Sequence, residues 1–181
     1  MNKREIRKNI FELRKSMTGQ EHADYSFGIF NQIKSLKEYQ NAKIIYAYYD
    51  VNNEAGTELI INDAISKGKQ VALPKIEEGI MNFYGINSIE DVQPGYYNIP
   101  EPKSNTGISA PDIVIVPGVS FSHELDRLGY GGGFYDSFLA RHKECMKIAI
   151  AFEFQMRDNI PVEKHDIKMD MIITEKKIYK V

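Results

Sequence analysis

The stretch RLGYGGGFYDSFLAR, residues 127–141, crowds Gly129, Gly131, Gly132 and Gly133 into five positions and then places a carboxylate, Asp136, just beyond them. Phe134 and Phe138 lie four apart, so a helix starts near Phe134. Glycines ahead of a helix permit positive φ and close backbone approach. The helix start itself offers unpaired N–H groups and a partial positive charge. Such a cradle suits an anion, and phosphate is the usual occupant. The alternative is a flexible turn packed against a helix. Two common nucleotide patterns are absent: the fingerprint G-x-G-x-x-G begun at Gly129 would need glycine where Phe134 stands, and no G-K-[ST] follows.

Asp136 has two readings. A carboxylate in the first turn of a helix compensates the dipole, worth about 1 kcal/mol, so its removal is expected to leave the fold intact. Beside a polyphosphate it would instead repel the ligand, unless a divalent cation stood between them. Mg²⁺ takes one or two carboxylates together with phosphate oxygens. Asp170, ahead of the apolar run MIIT, is the candidate second carboxylate; otherwise it is a solubilising charge at a strand edge. Arg127 can fork onto phosphate, or pair on the surface with Glu124. Lys3 and Arg7 are four apart and share a helix face, where they can neutralise outer phosphates or simply face solvent. His123 and His165 are read as a loop histidine and a structural one. No Ser–His pairing has the spacing of a nucleophile and base.

The bulk composition limits the alternatives. The chain has 181 residues, which fits a single domain over 1–181. With 43% hydrophobic residues it has enough apolar material for a core. The net charge of −2 gives no global case for nucleic acid or membrane binding. Residues 1–15 nonetheless carry six cationic side chains against two acidic ones. Cys145 is the only cysteine, so no internal disulfide can form; it is expected in the core, and the absence of bridges points to a reducing, cytoplasmic compartment. No apolar run reaches membrane length, and no obligate protein partner is inferred.

These residues need elements to position them. Ile6, Ile10, Leu13 and Met17 predict an amphipathic first helix. Thr18 and Glu21 form a capping box for a second, with Tyr25, Ile29, Ile33 and Leu36 on one face. KIIYAYYD (43–50) reads as a strand entering the loop NNEAG. Thr57 caps the next helix, which carries Leu59, Ile60, Ala64 and Ile65 and stops at Gly68. QVALPKI and a shorter MNFYGI predict a hairpin. Residues 87–111 have loop composition. DIVIVPGVSF reads as one strand buried on both faces, and KIAIAF and DMIITEKKIYKV supply the last strands. Alternating strands and helices predict an α/β fold: a single three-layer α/β/α domain with a largely parallel central sheet.

In this order and spacing, RLGYGGGFYD, KREIR, NNEAGTEL, GYYNIPEP and HDIKMDMIIT resemble the 5-formyltetrahydrofolate cyclo-ligases, or methenyltetrahydrofolate synthetases, across essentially the whole chain. The resemblance implies a three-layer α/β/α enzyme that uses ATP and Mg²⁺ to turn 5-formyltetrahydrofolate into 5,10-methenyltetrahydrofolate, releasing ADP and phosphate. It implies ATP contacts from Lys3, Arg4, Glu5, Ile6 and Arg7, and from Arg127, Leu128, Gly129, Tyr130, Gly131, Gly132, Gly133, Phe134 and Tyr135. It implies metal-binding roles for Asp136 and Asp170, and catalytic roles for Arg127 and Asp136. Glu54 matches a folate-contacting acid, and Tyr49, Tyr97 and Tyr130 fall at or beside other substrate contacts. Gly132 stands where some members carry a basic residue, and Phe134 where a tyrosine is common. Two alternatives remain open: a different nucleotide-using enzyme such as a small-molecule kinase, and a non-catalytic nucleotide- or folate-binding module.

Overall fold

The computed structural model describes residues 1–180. The chain opens with α1 (Lys3–Ser16), α2 (Gly19–Ser35) and a short α3 (Lys37–Asn41) that the sequence pattern did not announce. Each of the first two starts at a reciprocal cap. Asn2 accepts the Glu5 N–H while Glu5 accepts the Asn2 N–H; Thr18 and Glu21 do the same for α2, as their spacing predicts. Then follow β1 (Ile44–Tyr46), α4 (Glu58–Ser66), β2 (Gln70–Glu77), β3 (Ile80–Ile86), β4 (Val92–Pro94) and β5 (Pro100–Pro102). The second half holds β6 (Ile113–Val116), β7 (Ser120–Ser122), β8 (Arg127–Leu128), α5 (Phe134–Arg141), β9 (Met146–Ile150), β10 (Met156–Arg157), β11 (Met171–Ile173) and β12 (Ile178–Tyr179).

Seven strands form the central sheet in the order β12-β11-β9-β6-β1-β2-β3. The inner pairs are parallel; β12 and β3 join antiparallel at the two edges. Each face carries its own apolar cluster. On one face Ile29 and Ile33 of α2 and Ile60, Ile61 and Ala64 of α4 pack on Ile45, Ile115 and Ile150. On the other, Phe138 and Leu139 of α5 pack on Tyr46, Phe83, Val114 and Ile172. Strand side chains alternate between faces, so a parallel strand needs apolar residues at every position, which IVIV at β6 supplies. The three-layer expectation matches this arrangement, and Cys145 is buried in the second cluster as expected.

The strand order has a functional consequence. From β1 the chain moves through α4 to β2 on one side, then returns to place β6 on the other side of β1. Consecutive connections therefore diverge between β1 and β6, with α4 above the sheet and α5 below it. Such a switch point leaves a crevice at the C-terminal ends of the strands, where ligands of open α/β sheets bind.

Several local expectations are revised. DIVIVPGVSF is two strands: β6 ends at Val116, and β7 joins a separate three-stranded sheet with β8 and β10. The break falls at Pro117 and Gly118, because proline cannot donate to a ladder. Only Ile44–Tyr46 of KIIYAYYD is strand. Loop 87–111 contains the antiparallel ribbon β4–β5, whose tip is a tight turn at Tyr96–Asn98. Thr57 does precede α4, but its hydroxyl donates to Tyr48 O and Asp50 Oδ1 instead of capping the helix; Asp50 accepts the Thr57 N–H. The hairpin predicted from QVALPKI and MNFYGI forms as β2–β3 and turns at Glu78 and Gly79, both at positive φ. On α1 the buried face is Ile6, Ile10 and Arg14, while Leu13 is turned outward.

Candidate active site

A cleft of about 870 Å³ opens at the switch point. Its floor comes from the chain leaving β1 (Tyr48, Tyr49, Val51, Glu54) and from Pro117 just after β6. One wall is the glycine segment and the start of α5. Lys3 and Arg7 of α1 and the 163–166 turn close one side; Tyr96 and Tyr97 overhang from the ribbon tip.

The glycine segment is shaped for an anion. Gly131 has φ 108° and Gly133 φ 69°, conformations that a Cβ would strain. Gly133 is the residue at which α5 begins, and no side chain caps that start. The first-turn N–H groups are therefore left for solvent or a ligand. Arg7 extends over the segment: its Nε donates to Gly129 O at 2.9 Å, and a Cβ at Gly131 would come within 3.6 Å of its Nη2. Phosphate would meet main-chain donors, a helix N-terminus and a guanidinium at one place.

Beneath this cradle lies a buried ion pair. Arg127 Nη2 meets Asp136 Oδ2 at 2.8 Å, with side-chain exposures of 3% and 17%. Arg127 Nη1 donates to Pro117 O, and Asp136 Oδ1 accepts the Ile167 N–H at 3.1 Å. The expected surface pair of Arg127 with Glu124 is thus replaced by a buried pair with Asp136. Asp136 consequently does more than compensate a dipole: it neutralises a cation that has no solvent. A carboxylate has about four lone-pair sites, so two of them remain after these contacts. Arg127 Nε and the Tyr135 hydroxyl are buried at this cleft wall without hydrogen-bond partners among the described residues.

Glu54 anchors the opposite end. It is 6% exposed; Oε2 accepts the Val51 N–H at 2.9 Å, and Oε1 accepts the Tyr130 hydroxyl. Burial pushes its carboxyl up, and the Tyr130 and Val51 hydrogen bonds and the Arg14 charge pull the other way. Tyr130 is also shifted upward, first by burial and then by the Glu54 charge. The Tyr130 hydroxyl accepts from Arg14 Nη1 at 2.6 Å. Arg14 was not a sequence candidate. The only signal for it was an arginine at a position four beyond Ile10, on the face that buries Ile6 and Ile10.

The structure separates the other sequence candidates. Tyr49 and Tyr97 line the cleft, Tyr97 at φ 52° and 83% exposed. Lys3 reaches the cleft but is paired with Glu163 at 2.7 Å and Asp166 at 3.4 Å. Arg4 lies in a shallow hollow on α1 with Lys8, Phe11 and Lys15, not in the cleft. Glu5 is spent on the cap, and Ile6 packs in the core with Leu128. Asp170 is not brought to the cleft. It precedes β11, at the strand ends opposite the crevice, where its carboxylate accepts the Lys147 N–H at 2.7 Å and pairs with Lys147 Nζ at 2.8 Å. The acid of the closing motif that does line the cleft is Asp166, joined there by Glu163 just ahead of the motif. His165 lies at the rim, 74% exposed, and His123 stacks on Tyr179 away from it.

A switch-point crevice floored by parallel strand ends, with an uncapped helix start and the buried Arg127–Asp136 pair in its wall, defines an open-sheet α/β protein whose cleft is shaped to suit an anion. Comparison with known proteins is specific. Residues 1–175 match the model of the 5-formyltetrahydrofolate cyclo-ligase family, and the chain belongs to that family. The 5-formyltetrahydrofolate cyclo-ligase of Mus musculus is 29% identical, the match covering 96% of this chain and 93% of that one. The protein of the same name from Haemophilus influenzae is 27% identical over 92% and 94%. Among solved structures, a 5,10-methenyltetrahydrofolate synthetase from Aquifex aeolicus superposes with a TM-score of 0.89 at 30% identity, covering 99% of this chain and 93% of that one. One from Mycoplasma pneumoniae, at 22% identity and a TM-score of 0.79, shares the fold.

Proposed function

We propose that this chain, acting as one catalytic domain in the cytoplasm, converts 5-formyltetrahydrofolate and ATP into 5,10-methenyltetrahydrofolate, ADP and phosphate. The observation that carries this reading is one continuous cleft joining the uncapped helix start at Gly133 to the aromatic and acidic end formed by Tyr49, Tyr97 and Glu54. The family match over residues 1–175 supports reading that cleft as the place where folate and ATP meet. The single cysteine, buried at Cys145, is in keeping with a reducing compartment.

The chemistry has two steps. A formamide oxygen leaves poorly, so the γ-phosphoryl group of ATP is first transferred to it and ADP is released. The N10 nitrogen then attacks the formyl carbon and loses its proton; the C–O bond breaks and phosphate departs with the former formyl oxygen. Transfer of this kind needs positioning and charge neutralisation more than a protein nucleophile. Main-chain donors from Gly129 to Tyr135 would hold the phosphates. Arg7 stands where it can meet their outer charge, and Lys3 can join by exchanging its acidic partners for phosphate. Arg127, fixed by Asp136, supplies fixed positive charge behind the transferring group. Asp136, which keeps free lone pairs, would be the carboxylate to hold Mg²⁺ beside the phosphates, and the ion would supply further neutralisation. Tyr49 and Tyr97 offer flat faces to the pterin, and Glu54 offers acceptors to its N–H groups.

The direct test mixes protein, Mg-ATP and 5-formyltetrahydrofolate and follows the near-ultraviolet absorbance of the methenyl product. ATP-dependent signal is the expected result. ATP hydrolysis without product would favour a kinase-like enzyme, and binding without turnover a non-catalytic module; either overturns the proposal.

A further inference from the structure

Arg14 has an arrangement that the reaction described above does not explain. It leaves the last turn of α1, is 3% exposed, and has no carboxylate contact of its own among the described residues. Nη2 donates to Gly118 O at 2.7 Å, and Nη1 to the Tyr130 hydroxyl at 2.6 Å. A guanidinium taken from water without a counter-charge is costly. The counter-charge lies one side chain further on, since the same hydroxyl donates to Glu54 Oε1. A phenol can accept and donate at once, so Arg14, Tyr130 and Glu54 form a relayed ion pair. Tyr130 is clamped in that role: Phe11 stacks on its ring at 6.1 Å and 15°, and the Arg14 guanidinium lies 5.8 Å from the ring centroid. The relay spans three separate pieces of chain: α1, the glycine segment and the loop after β1.

We propose that Arg14 is a positioning residue, which through the Tyr130 hydroxyl holds the Glu54 carboxylate as an anion at the folate end of the cleft. The inference rests on the reading that Glu54 faces the folate. It predicts a loss specific to that substrate. A role confined to packing α1 would instead weaken both substrates alike.

Other groups face Glu54. Asp50 and Tyr48 come from its own segment, Tyr135 from α5, and His22 of α2 contacts the Glu54 carbonyl at 2.7 Å. Against the Asp50 charge, which opposes ionisation, the Arg14 charge favours the ionised acid. Its removal should therefore make folate binding depend on pH.

The test measures binding of 5-formyltetrahydrofolate, and separately of a non-hydrolysable ATP analogue, by calorimetry across a series of pH values, because burial raises the Glu54 carboxyl above its ordinary range. Arg14→Met should weaken folate binding about tenfold at the acidic end of the series, the scale of one charge-assisted hydrogen bond, with recovery as pH rises. Analogue binding should change by less than about threefold, or about 0.7 kcal/mol. Arg14→Lys, which keeps the charge, should keep the profile flat. Tyr130→Phe retains the ring, so it carries the test if Arg14→Met fails to fold, and it should show the same pH-dependent loss. His22→Gln, measured alongside, should leave the profiles unchanged. A loss in Arg14→Met and Tyr130→Phe that is independent of pH, or equal for both ligands, overturns the proposal. Glu54→Gln distinguishes the underlying reading: if it leaves folate binding intact, Glu54 does not face folate and that reading itself fails.

Discussion

Asp136→Ala tests the wall of the cleft. The substitution leaves the Arg127 guanidinium, 3% exposed at its side chain, without the carboxylate it pairs with; among the described residues Pro117 O remains as its acceptor. Breaking a buried pair by removing one partner costs about 3–5 kcal/mol, far more than the ~1 kcal/mol of a solvent-exposed acid at a helix start. The Ile167 N–H also loses its acceptor. At about 2–4 °C per kcal/mol for a chain of this size, the midpoint of thermal unfolding should fall by roughly 6–20 °C. The fold is therefore not expected to be indifferent to this change, contrary to the reading of Asp136 from sequence. Circular dichroism on heating measures it. The double variant Arg127→Met/Asp136→Ala removes both charges and should be less destabilised than the single one, because an uncompensated buried charge is the costly state. Both should turn over at least about a hundredfold more slowly in the methenyl absorbance assay, run well below their transitions, since each lacks preorganised charge at the phosphate. A single variant that loses under about 1 kcal/mol, or a double variant whose loss equals the two single losses added, would refute the buried pair as a coupled unit.

Three further outcomes are expected. Arg7→Ala removes the guanidinium above Gly129 and Gly131 and should raise the apparent KM for ATP several-fold, on the order of one charge-assisted hydrogen bond, with the midpoint of unfolding little changed. Tyr97→Ala deletes a ring that is 83% exposed; stability should stay within about 0.5 kcal/mol while the KM for the folate rises, which steady-state kinetics and thermal melts together would check. Glu153 accepts from Thr174 Oγ1 and Tyr179 Oη, each at 2.6 Å; burial opposes its ionisation, but these hydrogen bonds outweigh it and hold its carboxyl below the ordinary 4.5. A lowered acid contributes stability above its unfolded pKa and loses it as pH falls through the folded value. Urea titrations below about pH 4.5 should therefore show Glu153→Gln losing less stability on acidification than the unaltered protein.

Much of the architecture follows from local chemistry. Alternating apolar strands and amphipathic helices require a layered α/β fold, because each apolar face must be covered. The two capping boxes, the hairpin at Glu78–Gly79 and the cradle at Gly131 and Gly133 are written in short spans, where neighbouring residues set φ and ψ. Long-range placement is different. Glu54 and Tyr130 are 76 positions apart, and no spacing announces that Arg14 would tie them together. Periodicity nominated Leu13 for the core, yet the turn of α1 against β7 buried Arg14, because a guanidinium could find Gly118 O and Tyr130 there. Asp136 and Asp170 both precede apolar segments and look alike as text. Strand direction separates them: Asp136 lies in the first turn of a helix at the crevice, and Asp170 precedes a parallel strand at the strand ends opposite the crevice. Sequence alone thus determined which elements form and which residues could carry charge. Tertiary structure decided which of those charges meet, since that depends on strand order and on which ends of the strands share a crevice.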